Sequence, residues 1–442
     1  MEVFAIGGYD EVGKNMTAIK VKDEIVVCDM GFFLPKLLDF EDGDPDPRTL
    51  GAAELIQIGV LPDDSMLEQQ KEKVKAIILG HCHLDHIGAA AYLADKYHCP
   101  IIGTPFTLAI MQTLLEEREF HLEERFKPLH FNSKMKISEH FNVELMYITH
   151  STLQTAFIIL RTSEGMVVYA NDFKLDNHPV IGKKPDYQKM EELGREGVKV
   201  LIVDSLKSNN EMKTPSEKVA REMLKDIIAG VQSKHNAIVV TTFSSHISRL
   251  KSIIDFGNSL HRKVVFLGRS MYKYVDAAER CNLVKFRNSV ELVGYRKLVE
   301  KMLREIAGRK EKYLIVCTGN QGEKDSILSK MATGGLPWRF TPGDIVIFSC
   351  RTIPTPETEK NRGELEHVLK EQHVRIFKDI HVSGHASLED HRDVLQLLKP
   401  QHIIPSHGPR EIVQGMETLA VSMGYQKGKT VHVMKNGEIL KI

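Results

Sequence analysis

The sequence of 442 residues predicts an α/β fold built from two differently patterned parts. Short β-branched runs bounded by Gly, Asp, Asn or His recur through the first half, which we expect to be rich in strands. From about Thr214, strands and helices alternate regularly, as in a parallel sheet with crossover helices. After about Ile380 the histidine-rich turns of the first half return.

Composition and length place the chain among ordinary globular proteins. Hydrophobic residues make up 42% and charged residues 27%, which excludes disordered and collagen-like classes. The length fits two domains, or one large domain with an insertion. No apolar run approaches the roughly 20 residues of a membrane span, and the N-terminus lacks the features of a signal peptide. We therefore expect a cytoplasmic enzyme without a membrane partner.

Cysteine usage and net charge add two further expectations. The six cysteines are scattered without a CxxC pair, so free thiols are predicted. Basic and acidic residues both number 59, which gives a formal net charge of zero. Such a balance normally argues against a polyanionic partner, because basic patches accompany nucleic-acid binding.

The first half contains candidate strands and helices in a clear order. Helical periodicity covers Ile87–Tyr97 and Pro105–Glu117. The acidic stretch Asp39–Pro47 is predicted to be an exposed loop; a Ca²⁺ loop is the alternative, but the alternation and terminal Glu of an EF-hand are absent. The predicted strands are Val3–Ile6, Ile25–Asp29, Val74–Leu79, Val143–Thr149, Val167–Asn171 and Val200–Asp204.

The middle part begins with a helix signal. Thr214-Pro215-Ser216-Glu217 has an N-cap, a Pro at the first helical position and a Glu at the third, which predicts a helix to about Gln232. Near the C-terminus, a strand pair is expected within Val431–Ile442 around Asn436-Gly437. The other predicted strands are Ala237–Thr242, Val264–Leu267, Tyr313–Thr318, Asp344–Ser349 and His402–Pro405.

The main chemical signal is a histidine cluster between an apolar run and an Ala-rich helix, with the sequence Gly80-His81-Cys82-His83-Leu84-Asp85-His86-Ile87-Gly88. On an extended segment His81 and His83 leave on one face, and Asp85 and His86 follow in the turn into the helix. Such mixed imidazole and carboxylate ligands indicate catalytic rather than structural zinc. A surface histidine-rich turn is the alternative, against which the strand-to-helix context argues.

This HxHxDH pattern after a strand resembles the metallo-β-lactamase superfamily, which implies an αββα sandwich. The resemblance implies that His150, Asp172 and His407, each at a strand end, are further ligands. Asp29 resembles the aspartate that orients the site in this family. Alone, His150 or His407 would be better explained as a satisfied buried histidine, but their joint occurrence favours ligands. At the second position of the pattern, His83 favours zinc and hydrolysis, because di-iron relatives carry Glu there.

Between Asp172 and His407 lie 234 residues, far more than a single-domain member needs. The resemblance therefore implies an inserted domain, similar to the β-CASP domain of nucleic-acid-processing nucleases, with a parallel sheet and flanking helices. We assign residues 208–371 to this β-CASP domain, and residues 1–207 and 372–442 to a discontinuous metallo-β-lactamase domain. Asp204 resembles motif A, His385 motif B and His407 motif C. A histidine at motif C accompanies RNA enzymes.

Among β-CASP enzymes the chain resembles the ribonuclease J family over almost its whole length. Two departures matter: the chain ends soon after motif C, as in archaeal-type forms without the bacterial C-terminal domain, and residues 34–64 are longer and more acidic than expected. The first leaves the mode of dimerisation open, and the second the substrate entrance. The segments that carry the resemblance are Gly7-Gly8, Glu11-Val12-Gly13-Lys14-Asn15-Met16, Thr242-Phe243-Ser244-Ser245, Gly268-Arg269-Ser270-Met271, Thr318-Gly319-Asn320-Gln321-Gly322-Glu323, Ser349-Cys350-Arg351-Thr352-Ile353-Pro354 and His381-Val382-Ser383-Gly384-His385.

The resemblance also implies two Zn²⁺ ions per subunit, with Mn²⁺ or Mg²⁺ as alternatives. Asp85 and Asp172 would act in catalysis through the metals, and His385, supported by Asp204, is the candidate acid or oxyanion donor for the leaving oxygen. The implied ligands are His81, His83 and His150 for one ion and Asp85, His86 and His407 for the other, with Asp172 bridging.

Glycine and serine turns at strand ends are expected to bind RNA phosphates through amides and hydroxyls. In ribonuclease J members such groups hold a 5′-monophosphate, which implies processive 5′-to-3′ exonuclease action on single-stranded RNA in RNA decay and maturation. Simple helix caps are the alternative. The candidates are Ser244, Ser245, His246, Ile247, Ser248, Arg269, Ser349, His381, Val382, Ser383, Gly384 and His385.

Three other functions share parts of this pattern. An endoribonuclease of the 3′-end-processing type usually carries additional RNA-binding domains before the hydrolase domain. A small-molecule esterase or lactamase would share the ligands but would not require the insertion. An RNA-binding scaffold subunit is expected to have lost ligands, whereas this sequence retains them. We therefore expect a ribonuclease, and a homodimer because family members associate.

The neutral total conceals an uneven distribution of charge. Residues 205–380 contain 31 basic and 20 acidic residues, a net charge of +11, which leaves −11 for the rest of the chain. The basic excess lies in the part expected to cover the RNA backbone. The net charge of zero therefore does not argue against a polyanionic substrate.

Overall fold

The computed structural model describes residues 1–41, 50–118, 120–231, 233 and 235–442. Over these ranges the chain divides into two compact units. Unit 1 comprises Met1–Asn177, Lys183–Thr214 and Ser383–Ile442, and unit 2 comprises His178–Gly182 and Pro215–Val382. No helix in the described ranges has the length and apolar character needed to cross a membrane.

The strands are short and most of them are buried. In chain order they are β1 (Glu2–Gly7), β2 (Met16–Val21), β3 (Glu24–Cys28), β4 (Val74–Leu79), β5 (Ile101–Gly103), β6 (Phe126–Pro128), β7 (Lys134–Lys136), β8 (Phe141–Tyr147), β9 (Ala156–Thr162), β10 (Gly165–Ala170), β11 (Val198–Asp204), β12 (Ile238–Thr241), β13 (Lys263–Leu267), β14 (Val290–Val293), β15 (Tyr313–Cys317), β16 (Ile345–Phe348), β17 (Arg375–Phe377), β18 (His402–Ser406) and β19 (Ile439–Lys441).

The helices include several that begin with a side-chain N-cap, such as Thr104 before α5 and Thr355 before α12. In chain order they are α1 (Leu34–Glu41), α2 (Ala52–Gln57), α3 (Leu84–Ile87), α4 (Ala90–Leu93), α5 (Pro105–Glu116), α6 (Tyr187–Glu196), α7 (Glu217–Gly230), α8 (Ile247–Ser259), α9 (Arg269–Arg280), α10 (Arg296–Ala307), α11 (Ile327–Ala332), α12 (Pro356–Glu371), α13 (Leu388–Leu398) and α14 (Arg410–Ser422). Short 3₁₀ helices cover Ser65–Lys73, Ala94–Tyr97, Glu123–Arg125, Phe286–Asn288 and Lys310–Lys312.

Unit 1 has two sheets, with strand orders β19-β1-β2-β3-β4-β5-β6 and β18-β11-β10-β9-β8-β7. The inner faces of the two sheets pack around one shared core. Alternate residues of each strand point to opposite faces of its sheet. In β10, Val167 and Tyr169 enter this shared core, whereas Val168 and Ala170 pack with residues of α6, α13 and α14 on the other face. On the first sheet, α5 packs against β5 and β6. The layers are therefore αββα, as the sequence predicts.

Unit 2 has one sheet with the order β14-β13-β15-β12-β16-β17, and its neighbouring strands are all parallel. This confirms the predicted parallel sheet with flanking helices. Because β17 pairs with β16 in this sheet, residues 372–382 belong to unit 2. The boundary assigned from the sequence differs here, since it groups these residues with 383–442 in the other domain.

Two predicted helices differ from the structure. The helix predicted over 87–97 is interrupted, because the Ala89 amide donates to the carbonyl of Met30 instead of continuing the helical ladder. The N-cap of α7 is Ser216, whose Oγ accepts from the amide of Lys218, and not Thr214. The Thr214 hydroxyl instead donates to the carbonyl of His385. The predicted end of this helix at Gln232 lies outside the described residues.

Two other predicted segments also differ from the structure. The strand pair predicted around Asn436-Gly437 is absent from the described residues, because β19 pairs with β1. The Asn436 side chain accepts from the amide of Tyr9 and donates to Glu11, which directs the chain along β1. The exposed loop predicted over residues 39–47 is wrong at its start, where α1 runs to Glu41; its remainder lies outside the described residues.

Candidate metal centre

The candidate ligands lie in unit 1, at strand ends or in the short helix α3, and three site residues have left-handed backbone conformations. Asp29 follows β3 with φ 59°, Asp172 lies just after β10 with φ 50°, and His407 follows β18 with φ 63°. A non-glycine residue in this region costs about 1–3 kcal/mol and persists only where its surroundings fix it. Each of these strands is thus followed by a site residue whose backbone is held in a left-handed conformation.

The first ligand group consists of three imidazoles and one carboxylate oxygen. His83 Nδ1 lies 3.1 Å from His81 Nε2 and 3.2 Å from His150 Nε2. Asp172 Oδ2 lies 3.4 Å from His81 Nε2 and 3.5 Å from His150 Nε2. These four side chains can offer ligand atoms that all lie within 4.8 Å of one another.

The second ligand group uses the other oxygen of the same aspartate. Asp172 Oδ1 lies 3.2 Å from His86 Nε2 and 3.6 Å from His407 Nε2. Asp85 Oδ2 lies 3.6 Å from His86 Nε2 and 3.9 Å from His407 Nε2. Asp172 therefore faces one group with each oxygen, which is the arrangement of a bridging carboxylate.

The protonation states of the histidines in this cluster favour binding of a cation. Burial lowers the pKa of His83 and of His150 well below the usual value, so both rings are neutral and keep a lone pair for a metal. Burial also lowers the pKa of His86, but Asp172, Asp85 and Asp29 outweigh it and raise that pKa well above its usual value. The carboxylates thus attract positive charge into a buried site.

The donor set also fits metal ions by its hydrogen bonding. His83 Nδ1 lies 3.1–3.2 Å from two other imidazole nitrogens, and few protons are available to link these three nitrogens by hydrogen bonds. Asp172 Oδ1 is buried and has no hydrogen-bond partner among the described residues. Unpaired buried acceptors are costly, and divalent cations satisfy such sites. The residues present therefore fit two metal ions.

Asp29 holds the ring of one candidate ligand through a hydrogen bond. Its Oδ2 accepts from His86 Nδ1 at 2.7 Å, and its Oδ1 accepts from the amide of Gly80 at 2.8 Å. The first bond fixes the ring of His86 with Nε2 toward the second group, and the second ties the start of the histidine cluster to β3. Asp29 is fully buried, so both bonds are shielded from water.

Asn15 is a site residue that the sequence did not predict. Its Oδ1 lies 3.0 Å from His407 Nδ1 and accepts from the side-chain amide of Asn171 at 3.0 Å. Its Nδ2 donates to the carbonyl of Asp85 at 3.1 Å. Asn15 thereby orients His407 and links it to the turn of Asp85. Its only sequence signal is its place in the segment from Glu11 to Met16.

Replacing Asn15 by Ala should lower metal affinity or activity about 10- to 100-fold, the usual effect of losing an outer partner of a ligand. Metal content by mass spectrometry and the rate of RNA cleavage measure the effect. Asn142→Ala, at an exposed position of β8, is the matched control and should change neither. Full metal content and activity in Asn15→Ala would show that His407 needs no such partner.

His385 and Asp204 form a third overlapping group with Asp172 and His407. His385 Nδ1 lies 2.9 Å from Asp204 Oδ2, and its Nε2 lies 3.9 Å from Asp172 Oδ2. Burial lowers the pKa of His385, but Asp172 and Asp204 outweigh it and raise this pKa to about 9. The ring is therefore held by Asp204 with a proton available beside the candidate metal ligands.

The residues predicted to bind phosphate are divided between the units. Ser383, Gly384 and His385 lie in unit 1, where the carbonyl of Gly384 accepts from His150 Nδ1 at 2.7 Å. A Cβ at Gly384 would come within 2.9 Å of the His150 ring, so glycine is required there. Gly384 thus orients the ring of the candidate ligand His150. The other candidates, Ser244, Ser245, His246, Ile247, Ser248, Arg269, Ser349, His381 and Val382, lie in unit 2.

Within unit 2 several of these groups already have partners. The amides of His246 and Ile247 donate to the carbonyls of Phe243 and Ser245. Ser349 is fully buried and donates its hydroxyl to the carbonyl of Ile380 at 3.0 Å. The candidates that retain accessible side chains lie at the carboxyl edge of the unit 2 sheet. They are Ser244, Ser248, Arg269 and His381.

A buried ion pair between Arg249 and Glu217 fixes the carboxyl edge of the unit 2 sheet. The guanidinium of Arg249, fully buried, donates to both carboxylate oxygens of Glu217 at 2.6 and 2.9 Å. It also donates to the carbonyl and hydroxyl of Ser349 and to the carbonyl of Ile380, at 2.8–2.9 Å. One side chain therefore fixes the strand end of β16 relative to α7 and the segment before His381.

Three family models match consecutive parts of the chain. Residues 11–185 match the metallo-beta-lactamase superfamily, residues 235–363 match "Ribonuclease J, beta-CASP domain", and residues 372–434 match "Zn-dependent metallo-hydrolase RNA specificity domain". The first and third matches contain the candidate ligands His81 to His150 and His407.

Comparisons with individual proteins extend over the whole chain. Ribonuclease J from Methanocaldococcus jannaschii is 44% identical over 100% of this chain and 98% of its own length. Ribonuclease J from Pyrococcus abyssi is 39% identical over 100% of this chain and 97% of its own length, and that from Thermus thermophilus is 32% identical over 100% and 74%.

A solved structure shares the fold. A protein of unknown function from Enterococcus faecalis V583 has a TM-score of 0.65 and 16% identity, and the match covers 99% of both chains. This likeness concerns the fold alone. The family models and the full-length relatives show that the chain belongs to the ribonuclease J family of metallo-β-lactamase nucleases with a β-CASP domain.

Proposed function

We propose that the chain is a two-metal 5′-to-3′ exoribonuclease that hydrolyses single-stranded RNA processively from a 5′-monophosphate end, releases nucleoside 5′-monophosphates, and acts in RNA decay and maturation. The observation that supports it most is the geometry of Asp172, whose two oxygens face two separate ligand groups. Two cations held in this way suit phosphodiester hydrolysis better than binding alone.

The ligand groups would hold the metals, which we propose are Zn²⁺ because imidazoles predominate. His81, His83 and His150 would bind one ion, and Asp85, His86 and His407 the other, with Asp172 shared. A bound pair of ions supplies an activated water and neutralises charge on the phosphate. Asp29, Asn15 and Gly384 keep the ligand rings in fixed orientations.

His385 would donate the proton that the leaving 3′ oxygen requires. Its Nδ1–H is held by Asp204, so its Nε2–H points toward the phosphate site beside Asp172. The raised pKa keeps this proton in place at neutral pH. The rings of His385 and His407 stack with centroids 5.5 Å apart, which restricts rotation of His385.

The proposed direction of cleavage depends on recognition of a terminal phosphate. Ser244, Ser248 and Arg269 of unit 2 are accessible and lie at the carboxyl edge of a parallel sheet, where α/β proteins bind phosphates. The relatives that share the full length are ribonucleases J by name. The proposal includes a cytoplasmic location and a homodimer. Sedimentation of the purified chain would test the homodimer.

The product pattern on RNA labelled at its 5′ end tests this proposal directly. We expect a labelled mononucleotide as the first product, with 5′-monophosphate RNA cleaved faster than 5′-hydroxyl RNA, and no cleavage after chelation. Readdition of Zn²⁺ or Mn²⁺ should restore the activity. A matched control is His121→Ala, which removes a histidine whose side chain is 88% exposed and should leave the pattern unchanged.

Two results would contradict the proposal in different ways. Labelled oligonucleotides as first products would indicate an endonuclease with the same metal chemistry. Full activity in a chelated, metal-free protein would exclude the two-metal scheme itself.

A further inference from the structure

Two tyrosines follow neighbouring strands at the carboxyl edge of the unit 2 sheet. β13 and β14 pair in parallel, and Tyr272 lies in the first turn of the helix after β13. Tyr295 is the N-cap of the helix after β14. Their ring centroids are 6.2 Å apart with an interplanar angle of 51°. The fold thus brings two aromatic rings together at one edge.

The two rings have different environments. Tyr272 is half-buried and lies against Gly294, where an added Cβ would come within 2.9 Å of the tyrosine Cβ. The guanidinium of Arg287 lies 5.5 Å from the Tyr272 ring centroid. Tyr295, in contrast, is 63% exposed. Tyr272 is therefore held in place by its packing, and Tyr295 lies beside it with much of its surface open to solvent.

Uncompensated positive charge lies on the same two helices. Arg269 and Lys297 are exposed, and neither has an ion-pair partner among the described residues. Arg269 is the first residue of α9, and Lys297 belongs to the first turn of α10, two positions after Tyr295. Exposed aromatic surface with free cations beside it is the combination that single-stranded nucleic acid requires.

The same edge of the sheet also carries two accessible serines. Ser270 Oγ lies 3.0 Å from Ser244 Oγ, and Ser244 follows β12. In the sheet order, β12 is separated from β13 by β15, and β14 is next to β13. A polar and then aromatic path therefore runs along the strand ends from Ser244 through Arg269 to Tyr295.

We propose that Tyr295, supported by Tyr272, is a stacking platform for one base of single-stranded RNA, with Arg269 and Lys297 binding the adjacent phosphates. Every base has a π face, so stacking holds RNA without selecting its sequence, as an enzyme of RNA decay requires. This site deepens the proposed function and rests on RNA being the substrate. A second copy of this chain is a poorer occupant, because a two-fold contact would bring the free cations of both copies together.

Binding measurements with Tyr295 variants test the platform. We would use the full chain with Asp172→Asn, so that the RNA stays intact, and a 12-nucleotide single-stranded RNA that carries 2-aminopurine at successive positions. Tyr295→Ala should weaken binding about 5- to 150-fold, the range measured when a base loses an aromatic partner. Tyr295→Phe should retain the affinity. At one position 2-aminopurine fluorescence should be quenched on binding, and Tyr295→Ala should abolish this quenching.

Two further variants separate base stacking from general apolar contact and from phosphate binding. Leu298→Ala removes a neighbouring apolar side chain that is 52% exposed, and it should change affinity less than twofold. Arg269→Gln should reduce the slope of log affinity against log salt by about 0.7, the value for one phosphate contact on a single strand.

The results separate the platform from the proposed function. Unchanged affinity and quenching in Tyr295→Ala would overturn the platform, even if the unsubstituted chain degrades RNA from its 5′ end. Equal losses of RNA affinity in Tyr295→Ala and Leu298→Ala would indicate general apolar contact instead of base stacking, and would also overturn the platform. A changed oligomeric state with unchanged RNA affinity would instead identify a protein interface. Absence of RNA binding in the Asp172→Asn chain would overturn it as well. The direction of cleavage by the unsubstituted chain does not enter this assay.

Discussion

Replacing Asp172 by Asn should abolish RNA cleavage while leaving the fold of unit 1 intact. Each oxygen of Asp172 faces a different ligand group, at 3.2–3.6 Å from the imidazole nitrogens. Asn keeps the shape but removes the charge, so neither group retains a shared anionic ligand. Because Lewis-acid stabilisation is worth several kcal/mol, we expect a fall in kcat of about 1000-fold or more.

Asn is the better choice than Ala for this experiment. Asp172 has φ 50°, a left-handed conformation that Asn adopts more readily than other side chains, so backbone strain does not confuse the result. The pKa of Asp172 shows how strongly the site needs its charge: burial raises it, but His407, His86 and His385 outweigh burial and hold it well below the usual value. The neutral amide would leave these imidazoles without their partner.

Metal content, cleavage of end-labelled RNA and thermal unfolding should be measured together. Asp23→Asn, which neutralises a side chain that is 89% exposed, is the matched control and should behave as the unsubstituted protein. If Asp172→Asn kept two bound ions and full activity, the bridging role would be wrong. If it lost its fold, the activity result would carry no weight, which is why the unfolding curve is needed.

Four of the seven candidate ligands have a local signal in the sequence. His81, His83, Asp85 and His86 lie within six residues at a strand-to-helix turn, and the strand pattern before them fixes their direction. The alternation of strands and helices from about Thr214 also predicted the parallel sheet of unit 2, whereas the αββα layers of unit 1 were implied only by the family resemblance. Family resemblance was needed for His150, Asp172 and His407, since nothing within each segment distinguishes a ligand from a buried polar residue.

What the sequence did not predict depends on contacts between distant segments. Asn15 lies 392 positions before the His407 that it orients. Thr214 has the local pattern of a helix cap, yet its hydroxyl donates to the carbonyl of His385, 171 positions away, and Ser216 caps the helix. In the same way, the turn at Asn436-Gly437 is held by Tyr9 and Glu11, so a local hairpin signal lost to a tertiary contact.

His385→Gln should reduce kcat about 100- to 10,000-fold, the range for loss of a positioned proton donor, with little change in KM. Gln can still donate to Asp204, so the buried carboxylate keeps a partner and the fold is expected to survive. What it cannot do is release a proton to the leaving oxygen. Asp204→Asn should have a smaller effect, because it weakens the orientation of His385 but leaves its ring present.

The dependence of kcat on pH distinguishes a proton donor from a residue that only binds. The pKa of His385 is raised to about 9 by Asp172 and Asp204, which outweigh burial. As pH rises through this pKa the proton is lost, so the rate should fall on the alkaline side. Positive charge bound at Asp172 offsets its attraction, and we therefore expect this limb below pH 9 in the metal-loaded enzyme.

Each variant should change the alkaline limb in its own way. In Asp204→Asn the limb should shift to lower pH, because one of the carboxylates that raise the pKa is gone. In His385→Gln it should disappear. An activated diester such as bis-p-nitrophenyl phosphate, whose leaving group needs no proton, provides the decisive comparison. His385→Gln should hydrolyse it nearly as fast as the unsubstituted enzyme; an equal loss on RNA and on the activated diester would mean that His385 stabilises the metal site or the phosphate instead.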